Sequence, residues 1–380
     1  MKFIIHRNML ETSLHRVLSA VSSAEMAHIG LRVRGETLDV MMQDTVMSAY
    51  AQTPCLPEQE GTAFVPAKLF SDVVRELPDM DIQVAIEGSR CLVKAGESIE
   101  LKLPVRADIQ WCEPPELSES YKFQIPAVKL HYLIEQVNPC LDPKSNRSYA
   151  TVGFLKQESP GVLRLVGTNG FRLSFAETKF DLDQSVLTGG VCLTRKALTE
   201  VYRMCGEGFE YVEMNVSDSD KQISVSVPGY QLFIKLSTVS YPHYQSVIPK
   251  KEGFRYAMER KSFMAVIRRV LLAAGKSRGL HVAVDKGWMT LQTRDAGSSE
   301  GREIVPLSNP IEKHVAFAVN GAYLSDILST VSCESVSIVT HAGDEPIVVL
   351  PELEPSGCVS QHMLMQIQED YADNHGERND

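Results

Sequence analysis

Gly275-Lys276-Ser277 is the stretch that first suggests chemistry, because a lysine and a hydroxyl behind a glycine can hold nucleotide phosphates. That loop also needs a glycine five residues before the Gly-Lys pair, and Val270 stands there. Gly167-Thr168-Asn169-Gly170 lacks the third glycine of a dinucleotide loop and falls between strand patterns, not ahead of a helix. The ten histidines form no pair at metal-ligand spacing, and the eight cysteines contain no Cys-x-x-Cys. No metal and no cofactor is expected, and the thiols read as reduced, partly core-filling residues of a cytoplasmic protein. No Ser/His/Asp set or carboxylate pair stands out, so no catalytic residue is assigned and the chain reads as non-enzymatic.

What remains is charge. A net charge of −10 argues against nucleic acid as a partner, unless the charges are segregated. They are: six windows with helical periodicity (6–20, 66–78, 126–138, 194–206, 259–275 and 320–332) sum to +5. The helix position opposite each apolar stripe holds His15, Arg75, Glu135, Arg203, Arg268 and Ser329. A solvated helix face is usually charged anyway, but a positive bias inside an acidic chain suits a surface that faces phosphates.

The windows are copies of one unit. Phe3, Ala63, Phe123, Val191, Tyr256 and Phe317 are equivalent first positions, at intervals of 60, 60, 68, 65 and 61 residues. Seven residues on, each copy has Leu10, Phe70, Leu130, Leu198, Phe263 or Leu324. Four further come Leu14, Val74, Ile134, Tyr202, Ile267 and Leu328, and then Val17, Leu77, Val137, Cys205, Val270 and Val331. One such stripe is an ordinary amphipathic helix; six at near-constant spacing are an internal repeat. Between them lie alternating strand patterns such as 38–42, 82–86, 99–103, 163–166 and 223–227. Glu113-Pro114-Pro115-Glu116 and Pro249-Lys250-Lys251-Glu252-Gly253 read as linkers. The expected architecture is α+β, with three tandem duplicated β-α-β domains at 1–120, 121–253 and 254–367. An acidic segment at 368–380 lacks any apolar stripe and is expected to be disordered. No run is long enough to span a membrane.

Several segments, in this order and spacing, resemble the bacterial DNA polymerase III β subunit, the sliding clamp family. They are Met1-Lys2-Phe3, Phe64-Val65-Pro66-Ala67 with Phe70, and Thr168-Asn169-Gly170-Phe171-Arg172-Leu173. They continue with Tyr241-Pro242-x-Tyr244, Ile248-Pro249-Lys250, Lys276-x-Arg278-Gly279 and Asn320-x-x-Tyr323-Leu324. The resemblance covers essentially the whole chain. It implies a half-ring with helices inside and sheets outside, closed by a head-to-tail homodimer around double-stranded DNA. Twelve helices at roughly 10 Å spacing give a circle of axes roughly 40 Å across, wide enough for a hydrated duplex.

The resemblance also implies sites. DNA would face Arg16, Arg75, Lys144, Arg147, Arg203, Arg268, Arg269 and Arg278, without sequence preference. The dimer interface would use Ile99 and Leu101 of one subunit against Leu271 and Leu272 of the other. A groove for short linear motifs would be lined by Thr168, Gly170, Arg172, Leu173, Pro242, Val247, Tyr323, Pro346, Met363 and Met365. Expected partners are the replicative polymerase, the clamp loader, translesion polymerases and repair proteins. Departures from the family pattern include Leu364 for a proline, Gln366 for an arginine, Ser246 for an arginine and Asn169 for an aspartate. The alternatives are a divergent second clamp with altered partners and, in another class, an enzyme acting on nucleic acid.

Overall fold

The computed structural model describes residues 1–20, 28–181, 186–275, 278–294, 299–307, 314–341 and 343–367. The acidic segment 368–380 lies outside the described residues, as do Lys276 and Ser277. Six helices follow the six stripes: α1 (Arg7–Ser19), α2 (Ala67–Glu76), α3 (Ala127–Val137), α4 (Arg195–Cys205), α5 (Arg260–Leu271) and α6 (Gly321–Thr330). Each starts directly after a strand, and side chains cap three of the starts. Thr194 accepts from the Ala197 N–H, Glu259 from Lys261 and Ser262, and Asn320 from Ala322 and Tyr323. Such caps satisfy amides that the helix itself leaves free.

Of the eighteen stripe residues, only Tyr202 departs from full burial. Its ring is half-buried and stacks on His131 of α3, with centroids 3.9 Å apart. The phenol keeps a polar tip that a core position would have to satisfy, so it turns to the helix flank instead. Opposite the stripes, His15, Arg75, Arg203, Arg268 and Ser329 are exposed and Glu135 is half-buried.

The chain forms two compact units. The first comprises Met1–His131, Leu155–Gly161 and Phe180–Thr238. It holds an antiparallel five-stranded sheet in the order Leu56–Gln59, Lys2–His6, Asp81–Glu87, Arg90–Ala95, Ile99–Pro104. Its second sheet has eight strands and runs without a break across the Pro-rich linker, because Met47–Pro54 pairs with Tyr230–Lys235. α1 packs beside α2 on these sheets.

The second unit comprises Tyr132–Phe154, Val162–Lys179 and Val239–Asp380. A four-stranded sheet has the order Glu300–Pro306, Trp288–Arg294, Gly279–Asp285, Val315–Asn320. A run of six more strands is ordered Val162–Thr168, Arg172–Lys179, Cys358–Leu364, Ile347–Pro351, Ser335–Thr340, Phe254–Glu259. The join is the register Leu173↔Met363, which brings distant segments into one sheet. α5 and α6 bury Phe263, Ile267, Val270, Leu324 and Leu328 in one core. No described helix is long and apolar enough to cross a membrane.

Candidate partner groove

The groove in the second unit starts from a four-residue turn. Asn169 Oδ1 accepts from the N–H groups of Phe171 (3.0 Å) and Arg172 (3.1 Å), and the Thr168 hydroxyl donates to the Arg172 carbonyl at 2.7 Å. Gly170 has φ +88°, and a Cβ there would sit 2.1 Å from Arg147 Nη1. Glycine is therefore required by backbone sign, while a side chain there would also have to displace the flexible end of Arg147. The turn joins strands 162–168 and 172–179 and delivers Arg172 and Leu173 to the groove floor.

Arg172 is only 7% exposed. Its guanidinium donates to Asp326 at 2.8 Å and to the Pro139 carbonyl, and lies 4.2 Å over the Tyr323 ring. A buried cation needs such partners. Beneath the groove Val166, Leu173, Phe175, Tyr244, Val348 and Met363 form a separate apolar cluster. The loop after residue 240 closes one side. Tyr241 stacks on Phe154 with centroids 4.9 Å apart, and buried Tyr244 accepts from Arg164 at 3.2 Å. The other side is set by the Met365 N–H, which donates to the Phe171 carbonyl at 2.9 Å.

These elements enclose a cavity of about 290 Å³. Thr168, Gly170, Arg172, Leu173, Pro242, Val247, Met363 and Met365 line it together. Tyr323 stands behind, holding Arg172, and Pro346 lines an adjoining cavity. Tyr149, His243, Tyr244 and Ser246 also line the groove, and sequence reading assigned none of them to it, although it noted Ser246 as a departure from the family pattern. Tyr244 was visible in Tyr241-Pro242-x-Tyr244; Tyr149 carries no local signal. With an apolar floor and few polar groups, the cavity suits one or two apolar side chains of an extended peptide.

The basic residues fall into two sets. Arg16 pairs with Glu207 at 2.5 Å and lies over the rings of Phe209 and Tyr230. Arg75 pairs with Asp72 and Glu76, Arg203 with buried Glu200, and Arg269 with Glu303 at 2.5 Å. The hydrogen bond from Arg269 holds the Glu303 carboxyl below the usual range. Arg268, Lys144 and Arg278 are exposed, and their side chains form no ion pair with a carboxylate among the described residues. Arg147 is also exposed but lies 5.3 Å over the Phe171 ring, at the groove turn.

The four interface candidates are not alike. Ile99 and Leu101 lie on the outer strand of the five-stranded sheet, with Leu101 37% exposed. Leu271 is buried in the core of the second unit, whereas Leu272 is 87% exposed. Of the two leucines expected at the interface, Leu271 packs inward against Gly321 and Leu272 stands out from the fold.

One arrangement looks like a nucleophile and base. Ser174 Oγ is 2.8 Å from His362 Nδ1 and 2.9 Å from Cys140 Sγ. Ser174 and His362 have no exposed surface, so no substrate reaches them. Burial drives the His362 pKa down to about 3, which keeps the ring neutral as a structural hydrogen-bonding group.

Three family models match along the chain. The N-terminal domain of the DNA polymerase III beta subunit matches residues 1–110, the central domain 124–243 and the C-terminal domain 245–366. A beta sliding clamp of Proteus mirabilis is 26% identical over 347 residues, covering 89% of this chain and 93% of that protein. The beta sliding clamp of Escherichia coli K12 is 25% identical over the same length, with the same coverage. Crystal structures of DNA polymerase sliding clamps from Pseudomonas aeruginosa and Caulobacter crescentus share the fold. Each has a TM-score of 0.85, at 23% and 24% identity, and each comparison covers 97% of this chain and 100% of the other.

Proposed function

Since the chain belongs to the DNA polymerase III beta subunit family, we propose that two copies join head to tail in a ring around duplex DNA. The family is the sliding clamp, a non-catalytic processivity subunit of DNA polymerase III. The observation that carries the reading is the ordered match of all three family domains along one chain. We take 1–120, 121–253 and 254–367 as the clamp domains. The ring works in the cytoplasm, where it tethers the replicative polymerase, clamp loader, translesion polymerases and repair proteins through short linear motifs.

Closure rests on two open edges. Ile99–Pro104 is the outer strand of one sheet in the first unit, and Glu300–Pro306 is the outer strand of one in the second. Such edges expose unpaired backbone groups, and pairing each with the other subunit's edge satisfies both in a closed ring. Leu101 and Leu272 are the apolar side chains for that seam. Exposed Arg268, Lys144 and Arg278 act by loose phosphate attraction, which permits sliding because it ignores sequence.

The groove is the docking site for partner motifs. A peptide with one glutamine and leucine or phenylalanine anchors should bind it with micromolar affinity, roughly −8 kcal/mol, because the contact is small and the peptide must order. Met365 is the side chain to change: it lines the groove and is 40% exposed, so a substitution spares the core. Removing the chain from 360 onward would be a poor test. It takes away most of strand 358–364, which lies between two others and carries buried His362, Met363 and Leu364. In fluorescence anisotropy, Met365→Glu should weaken a labelled peptide of this kind at least tenfold with unchanged thermal unfolding. Unchanged affinity would place partner docking elsewhere.

A further inference from the structure

Beside the groove opens a second cavity of about 620 Å³. Ser246, Val247 and Met365 are walls of both, so the two cavities adjoin. The chemistry changes between them. The first is lined by Leu173 and Met363, while the second is lined by Asp344 and Glu345 together with Lys250 and Lys251.

Glu345 is the uncommon residue here. It is half-buried, so part of its side chain still meets the cavity, and its Oε2 has no hydrogen-bond partner among the described residues. A carboxylate oxygen in that state gains from any donor brought to it. Its backbone is held in place, since Gln366 Nε2 donates to the carbonyls of Gly343 (3.0 Å) and Glu345 (2.8 Å). The donor must therefore come to Glu345. No ion pair joins it to Lys250 or Lys251 among the described residues, and both lysines are exposed. Water screens their charges, whereas a half-buried carboxylate acts through less solvent.

We propose that this second cavity receives a cationic side chain, lysine or arginine, flanking the apolar anchors of the partner peptide, with Glu345 as its acceptor. The proposal rests on the reading of the groove as a peptide site. A peptide seated against Met365 has its next residues over the second cavity, since an extended chain advances roughly 3.3–3.6 Å per residue. Glu345 would then choose among partners that share the same apolar anchors, by adding one charge-assisted hydrogen bond.

The test uses the full chain and four labelled peptides sharing one glutamine-leucine-phenylalanine core. One has alanine at both flanks, one lysine at the N-terminal flank, one lysine at the C-terminal flank, and one glutamate at both. At low salt one lysine peptide should bind roughly tenfold tighter than the alanine peptide, and the glutamate peptide more weakly than alanine. Glu345→Gln, close in size, should erase the lysine advantage and leave alanine-peptide affinity unchanged. Lys250→Ala with Lys251→Ala should enlarge it, by removing competing positive charge. Equal affinities for lysine and alanine peptides, or a lysine advantage that survives Glu345→Gln, would overturn the proposal and leave the groove standing. Failure of every peptide to bind wild type would overturn both.

Discussion

At the scale of single residues, polar groups set the groove's shape from behind. Arg172 is spent on Asp326, Pro139 and Tyr323, so it serves as a strut under the groove. His362 belongs to the same buried layer, on the strand that pairs Met363 with Leu173. Its pKa falls from 6.5 to about 3 because burial disfavours the charged ring. The folded state therefore binds fewer protons than the unfolded chain at mild acidity. The stability tied to this neutral histidine is fully present above pH 6.5 and is lost as pH falls from there toward 3. Urea unfolding should show wild type losing about 2 kcal/mol more than His362→Gln between pH 7.5 and 5. Parallel pH profiles would mean that the ring titrates in the fold as it does in the unfolded chain. None of this was legible in the sequence, where His362 is one of ten histidines and its partner Ser174 is far away in the chain.

At the scale of elements, the repeat was legible because each helix must bury one face, and that need recurs at fixed spacing in the chain. The strand-to-helix starts were legible for equally local reasons. Strand pairing was not. The sheets that run through Met47–Pro54 against Tyr230–Lys235, and Arg172–Lys179 against Cys358–Leu364, join segments more than 170 residues apart. The eight groove residues were legible only through resemblance, because three separate segments supply them. The end of α5 shows the limit of pattern: Leu271 and Leu272 look alike in sequence, yet one is buried and the other 87% exposed. Their substitutions should separate. Leu271→Ala should cost roughly 2–5 kcal/mol of folding stability by cavity formation. Leu272→Ala should leave the fold within about 0.5 kcal/mol but shift the dimer toward monomer at nanomolar concentration. Chemical denaturation and analytical ultracentrifugation read the two effects. A fully dimeric Leu272→Ala protein would move the seam elsewhere.

At the scale of the whole molecule, the proposed role gives the positive bias on the helices of this acidic chain a purpose, which is loose, sequence-independent attraction to DNA phosphates. Arg16, Arg75, Arg203 and Arg269 each pair with a carboxylate, so in the proposed ring the attraction falls mainly to Arg268, Lys144 and Arg278. Binding to linear duplex should weaken steeply with salt, and Arg268→Ala should lower the slope by about 1.8, because the two copies in the ring each neutralise one phosphate fewer. Arg269→Ala should lower it less, because Glu303 already neutralises that charge. Equal slopes for Arg268→Ala and wild type would remove Arg268 from the DNA-facing set. The central claim is topological, and topology can be cut. The protein, loaded onto a nicked circular plasmid by the clamp loader of its own organism, should co-elute with the circle in gel filtration at a salt that abolishes binding to linear DNA. One restriction cut should release it, because a ring slides off an end. Retention on the plasmid that is unchanged by linearisation would contradict encirclement.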